Sequence, residues 1–246
     1  MARLFEEIDR RATPMGDISL RRRLVPTIET EVYEVILGDE HLMSSLFTVA
    51  EIALADLGLA AVDGAGPLDV VVGGLGLGYT AGAALADPRV GSVHVVDALP
   101  DVIRWHREGV LSLSPPLAQD DRCHLVEGDF FAMVADGRAF GDAAPDPVHA
   151  VLLDVDHTPR HVLHPSHAPF YEVDGLTRLR DRLHPDGVFA LWSDTAPDDD
   201  FVAAVETVFG NCDVHDVPFP NPHTGGEARN AVIVARLTRA TGPTDR

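Results

Sequence analysis

The chain contains no lysine: all 19 of its basic residues are arginine, set against 39 acidic ones. Without a lysine amine there is no Schiff-base chemistry, no P-loop lysine and no lysine general base. Gly-x-Ser-x-Gly and His-Glu-x-x-His segments are also missing, which removes the usual anchors of serine hydrolases and zinc peptidases. Only two cysteines are present, Cys123 and Cys212, far apart and each in a predicted strand. They read as small buried hydrophobes in a reducing compartment rather than as a disulfide framework. A net charge of −20 repels phosphate backbones, and the one basic cluster, Arg21-Arg22-Arg23, is short, so no nucleic-acid partner is expected. No apolar run nears the roughly 20 residues of a membrane-spanning helix. The segment Met1-Ala2-Arg3-Leu4-Phe5-Glu6-Glu7 carries acid where a signal peptide carries base. The expectation is a cytoplasmic protein with no membrane partner.

The 246 residues suffice for one α/β domain with a well-buried core and a short extension. In the extension, 1–66, residues 1–30 read as polar and irregular. The run Val32–Leu37 then reads as a strand, turned by Gly38-Asp39-Glu40 into a second strand through Leu42, and Phe47–Leu59 has apolar residues at helical spacing. From 67 to 237 strands and helices alternate: strand 68–72, helix 79–86, strand 92–97, helix 100–109, strand 123–127, a loop-rich stretch, strand 149–154, helix 173–183 and strand 188–192. Asp198-Asp199-Asp200 opens a last helix, with acid at its positive end. Strands 212–217 and 231–237 are joined by a Pro/Asn/Gly-rich connection with no crossover helix, so they must pair antiparallel. The expected fold is a doubly wound, Rossmann-like α/β sheet, mostly parallel, closed by a C-terminal antiparallel hairpin, the plan of class I methyltransferases. Residues 238–246 read as a disordered tail.

The chemistry gathers at predicted strand ends. Val70-Val71-Val72 runs into Gly73-Gly74-Leu75-Gly76-Leu77-Gly78, a turn whose bare backbone can press against a nucleoside while the following helix aims free N–H groups at it. Asp97, followed by Ala98, ends the next strand and can accept both hydroxyls of a ribose. Asp129 with Phe130 ends the third strand, an acid and an aromatic suited to the amino group and π-face of adenine. Strand four delivers Asp154, Asp156 and His157, where a carboxylate can orient an amine and take its proton. His157, His161, His164 and His167 match no tight ligand spacing, and the intervening prolines argue for an extended lid, so no metal is expected. The glycine segment alone also satisfies a dinucleotide-binding pattern.

These residues resemble the spermidine synthase-like branch of the class I methyltransferase fold, over about Tyr33 to Leu237. The resemblance implies that Gly73, Gly74, Gly76 and Gly78 cradle a nucleoside co-substrate, either decarboxylated S-adenosylmethionine or S-adenosylmethionine. It further implies that Asp97 meets the ribose, that Ala98 also lies in the cofactor site, that Asp129 and Phe130 meet adenine, and that Asp154 and Tyr171 serve catalysis. Glu51 lies where the family has a Tyr-His-Glu segment, and with Asp156 and His157 it is implied in substrate binding. One departure concerns the turn, where the family holds an aspartate and this chain has Gly76, which weakens selection against S-adenosylmethionine. The implied reaction is aminopropyl transfer to a small amine such as putrescine, with a homodimer as the implied assembly. Two other readings stay open: methyl transfer to a small molecule, and a non-catalytic ligand-binding or dimeric assembly module.

Overall fold

A computed structural model describes residues 4–111 and 116–237. The predicted tail therefore lies outside the described residues. An antiparallel sheet of four strands comes first, in the order β1 (Phe5–Thr13), β2 (Gly16–Val25), β3 (Thr30–Leu37), β4 (Glu40–Ser44). The irregular reading of residues 1–30 is thus corrected to two strands. Their outer face is charged, so the sequence looks polar, but the charges pair across strands. Arg22 meets Glu6 at 2.6 Å, Arg23 meets Glu34 at 2.7 Å and Arg10 meets Asp17 at 2.8 Å. The inner face buries Ile18 and Leu20 against Val35 and Leu37. The Arg21-Arg22-Arg23 cluster is thereby engaged within this sheet, Arg21 pairing with Glu7 at 3.8 Å.

After helix α1 (Val49–Ala60), β5 (Leu68–Gly73), α2 (Tyr79–Ala86), β6 (Val90–Asp97), α3 (Pro100–Arg107), β7 (Cys123–Glu127), α4 (Phe130–Asp136), β8 (Val148–Leu153), α5 (Val173–Arg180), β9 (Leu183–Ser193), α6 (Asp199–Phe209), β10 (Asp213–Asn221) and β11 (Gly226–Arg236) follow. They build one seven-stranded sheet in the order β10-β11-β9-β8-β5-β6-β7. The first five of these strands in chain order run parallel, and β10 and β11 close the sheet antiparallel, as expected. Helix α4 replaces part of the expected loop-rich stretch. The Asp129 side chain caps it by accepting from Ala132 N at 3.0 Å, and Gly137 ends it in the left-handed region. β9 starts ahead of the expected strand 188–192 and takes in Pro185-Asp186-Gly187, with Asp186 at φ 74°.

The central strands are apolar on both faces, as a parallel sheet covered by helices requires. Val70, Val72, Ala150, Leu152, Val188 and Ala190 face a core shared with α1, α2, α3 and the N-terminal sheet. Val71, Val151, Leu153, Phe189 and Leu191 face a second core under α4, α5 and α6. Both cysteines are half-buried and free, and burial pushes their thiols up, to about 12 for Cys123 and about 11 for Cys212. No helix among the described residues is long and apolar enough to cross a membrane.

The N-terminal sheet is fastened to α3 by Asp9. Its carboxylate accepts from the fully buried indole of Trp105 at 2.8 Å and also pairs with Arg104. Burial alone would raise the Asp9 carboxyl, but the bonds from Trp105 and Arg104 outweigh it and hold it below its ordinary value. Asp9→Ala leaves the buried indole N–H without an acceptor. Urea denaturation should register a loss of about 1–3 kcal/mol, and an unchanged midpoint would rule out this contact as the anchor.

Candidate active site

The carboxyl ends of β5, β6, β7 and β8 are held in line by backbone bonds that outlast the strands. Gly74 N donates to Val96 O, Gly128 N to Asp97 O and Asp154 N to Gly73 O, all at 2.8–2.9 Å. This edge opens into a cavity of about 290 Å³ lined by Gly74, Gly76, Asp97, Ala98, Gly128, Asp129, Phe130, Asp154 and His157. Other parts of the wall come from Met15, Val35, Leu37, Leu42, Met43 and Glu51 of the N-terminal segment, Trp192 of β9, and Leu163, His164, Ser166 and His167 of the loop after β8. Asp97, Asp129 and Asp154 therefore share one crevice at a sheet edge where ligands of open α/β sheets bind.

Of the glycine turn, Gly74 and Gly76 face the cavity, and Gly128 faces it from the end of β7. Gly74 has φ +94°, and a Cβ there would stand 2.0 Å from the Asp154 carbonyl oxygen, so no side chain fits between the two loops. At Gly76, φ +45°, a Cβ would meet the Met43 sulfur at 2.2 Å. That sulfur accepts from Leu77 N at 2.8 Å, so a thioether occupies the space a larger residue at Gly76 would need. From behind, the buried His106 donates from Nε2 to the Gly76 carbonyl at 2.9 Å. Gly73 packs under Leu153 and Phe130, and Gly78 caps α2; neither lines the cavity.

Asp97 is placed by the turn it faces. Its Oδ2 accepts from Leu75 N at 2.9 Å and its Oδ1 from Leu99 N at 2.8 Å. Burial pushes its carboxyl up, opposed by these backbone donors and by Gly76 N–H. Each oxygen keeps a lone pair for a further hydroxyl. Asp129 spends Oδ1 on its helix cap and has Oδ2 left for a ligand. The Phe130 ring is buried among Phe131, Phe140 and Phe170, so it forms the floor of the cavity rather than a free stacking face.

At the other side Asp154 Oδ2 accepts from Thr80 Oγ1 at 2.7 Å, with the Glu51 carbonyl oxygen 3.4 Å from the same hydroxyl. The Glu51 side chain is buried beside Asp154. Burial, and then the Asp154 charge, push Glu51 up to about 8; burial pushes Asp154 up to about 6 against the bond from Thr80. The pair thus holds one proton between them near neutrality and presents one negative charge in an apolar enclosure, a setting that favours a bound cation.

Asp156 and Tyr171 are not brought to the cavity. Asp156 is fully buried beneath the loop, where it accepts from Leu163 N at 2.7 Å, meets His167 Nδ1 at 2.9 Å and accepts from the Tyr171 hydroxyl at 2.8 Å. Burial and this acid push the Tyr171 phenol well above its ordinary range, so it stays a donor. The three residues fasten the loop that lines the cavity with His164 and Ser166. No group of three or more His, Cys, Asp or Glu placed to hold a metal ion occurs among the described residues. Thr80, Met43 and Trp192 line or support the site without any sequence signal beyond their place near strand and helix ends.

Two polar atoms of wall residues are closed off from solvent without a hydrogen-bond partner, and the Glu40 carboxylate lies 3.6 Å from one of them, His157 Nε2. Trp192 Nε1 and His157 Nε2 are buried with no hydrogen bond among the described residues. Such a group costs about 1–3 kcal/mol when left unpaired.

An acid whose pKa is raised on folding contributes stability below its unfolded value and loses it as pH rises through the folded value. For Glu51 that window runs from 4.5 to about 8. The melting temperature should fall across it, and Glu51→Gln should flatten the fall by several degrees; parallel melting curves for the two proteins would contradict the buried pair.

No protein-family model matches the chain, and no curated protein matches it. Solved structures do. A spermidine synthase in complex with the transition-state analogue AdoDATO is similar with TM-score 0.72 and 15% identity, over 94% of this chain and 74% of that one. A spermidine synthase from Thermotoga maritima gives 0.69 and 14%, over 94% and 73%. Human methyltransferase-like protein 13 in complex with SAH gives 0.51 and 23%, over 79% and 82%. This chain therefore has a spermidine synthase-like class I methyltransferase fold.

Proposed function

We propose that the protein is a transferase that alkylates a small amine from an adenosyl sulfonium donor, with decarboxylated S-adenosylmethionine as the preferred donor. The observation that carries this reading is the buried Glu51–Asp154 pair at one end of a cavity whose other end holds Gly74, Gly76, Asp97 and Asp129. Asp97 accepts the ribose hydroxyls, the second oxygen of Asp129 accepts the adenine amino group, and the bare turn at Gly74 and Gly76 lets the nucleoside approach the backbone. The lining contains four carboxylates and no arginine. A donor with an ammonium and no carboxylate suits that field; the carboxylate of S-adenosylmethionine has no guanidinium to meet there.

Asp154 orients the amine and takes its proton as the nitrogen attacks the carbon next to sulfur. The C–N bond forms, the C–S bond breaks with its electron pair going to sulfur, and a neutral thioether nucleoside leaves. The single negative charge of the Glu51–Asp154 pair balances the charge of the incoming amine. Positioning supplies most of the acceleration, since no covalent intermediate is needed. A methyl transfer in the same cleft is the second reading, favoured by Gly76, where no acid stands to repel a donor carboxylate.

Supplying both donors with a panel of amines separates the readings. 5′-Methylthioadenosine is the product of aminopropyl transfer and S-adenosylhomocysteine that of methyl transfer. Asp154→Asn should lower kcat about 100-fold or more with donor affinity little changed. Asp97→Ala should weaken donor binding by about tenfold or more. Absence of either nucleoside product with every amine would overturn the transferase reading.

A further inference from the structure

The apolar wall beside Glu51 and Asp154 bears on the identity of the acceptor, an inference that rests on the transferase reading above. The hairpin of β3 and β4 reaches the crevice at two fixed points. Met43 of β4 accepts from Leu77 N beside the glycine turn, and Glu40 at the hairpin tip lies 3.6 Å from His157 in the loop after Asp154. Leu42 lies between these points, and Leu37 pairs with Glu40 across the hairpin; both line the cavity. The turn between β1 and β2 joins the same tip, with Gly38 N donating to Asp17 O at 2.8 Å, and adds Met15 to the lining.

Sheet order sets this wall apart from the nucleoside end. Trp192 is on β9, next to β8 with Asp154 at its end, whereas Asp97 ends β6 on the far side of β5. Neighbouring strands are about 4.8 Å apart, so β9 and β6 are separated by about 14 Å. The His157 carbonyl accepts from Asp194 N at 2.7 Å, which ties the start of the loop after β8 to the β9 side. Farther along that loop the His167 ring stacks on Phe131 with centroids 3.9 Å apart, so His164, Ser166 and His167 belong to the end that holds Asp129.

What remains for the acceptor is the Glu51–Asp154 pair followed by carbon. Leu37 and Leu42 carry no polar side-chain atom, and Met15 offers only a thioether. Trp192 lines the cavity with its one polar side-chain atom, Nε1, closed off from solvent, so it presents ring carbon there. His157 Nε2 is closed off as well, and Glu40 stands outside the lining with its side chain 58% exposed. A second ammonium placed against this wall would give up water with no carboxylate to meet. An indole face attracts a cation less than such burial costs it. A hydrocarbon tail gains from the same burial.

We propose that the acceptor is a monoamine with an apolar tail, its nitrogen at Glu51 and Asp154 and its methylenes against Leu42, Leu37, Met15 and the Trp192 ring, rather than a diamine.

Calorimetry on the protein saturated with 5′-methylthioadenosine tests this with propylamine, butylamine, pentylamine and 1,4-diaminobutane. Pentylamine, which matches diaminobutane in length, should bind about tenfold or more tightly than it. Affinity should rise about fourfold with each methylene from propylamine to pentylamine. Leu42→Asp sets a carboxylate against the tail, and it should weaken pentylamine and bring diaminobutane level with it or above. Met15→Glu, in an exposed turn, should shift the ratio in the same direction and decides where Leu42→Asp does not fold. The proposal is overturned if the wild-type protein binds diaminobutane as tightly as pentylamine, if affinity is flat along the series, if no amine binds, or if neither variant moves the ratio. Release of 5′-methylthioadenosine with diaminobutane as the best acceptor would sink this proposal and leave the transferase reading standing; no nucleoside product with any amine would sink both.

Discussion

Burying two carboxyl groups in one apolar cavity is costly unless they share a proton or meet a cation, and Glu51 and Asp154 are placed under that constraint. Glu51 comes from the helix before the central sheet and Asp154 from the end of β8, with the Thr80 hydroxyl of α2 bonded to one and close to the backbone of the other. Three elements must dock correctly for the pair to form. The same docking sets the approach of the glycine turn to the β8 loop, where the Asp154 carbonyl leaves no space for a side chain at position 74. Site and fold therefore share their most demanding contacts.

The N-terminal sheet is more than a preface to this arrangement. It turns a charged face outward, balanced by cross-strand ion pairs, and an apolar face inward. Its strands and turns supply Met15, Val35, Leu37, Leu42 and Met43 to the cavity wall. Surface ion pairs of this kind add little stability individually, so the inward face and the Asp9–Trp105 contact are what attach the sheet. Because Met43 fills the space beside Gly76, the sheet also helps decide which groups a donor can present there.

Particular residues show why some of this was legible in advance. The valine-rich strands and the glycine turn after β5 are local patterns, and in a parallel sheet every strand of the same direction ends at the same edge, so Asp97, Asp129 and Asp154 could be placed in one crevice from spacing alone. The two first strands escaped notice because their charged residues resemble a polar coil until the partner strand is known. Helix α4 is too short for its periodicity to stand out between Gly128 and Gly137. By resemblance Tyr171 was implied in catalysis and Asp156 in substrate binding, yet the loop turns them inward to bond each other.

What the sequence by itself determined is the order of the main-sheet strands, the crevice and its three strand-end acids, because strand period, turn chemistry and crossover direction are local rules. Only the tertiary structure decided that Glu51 stands beside Asp154, that Met43 fills the space at Gly76, and that Trp192 and His157 join the cavity wall. Those contacts join residues distant in the chain, and no local periodicity encodes which side chains two separately folded faces will bring together.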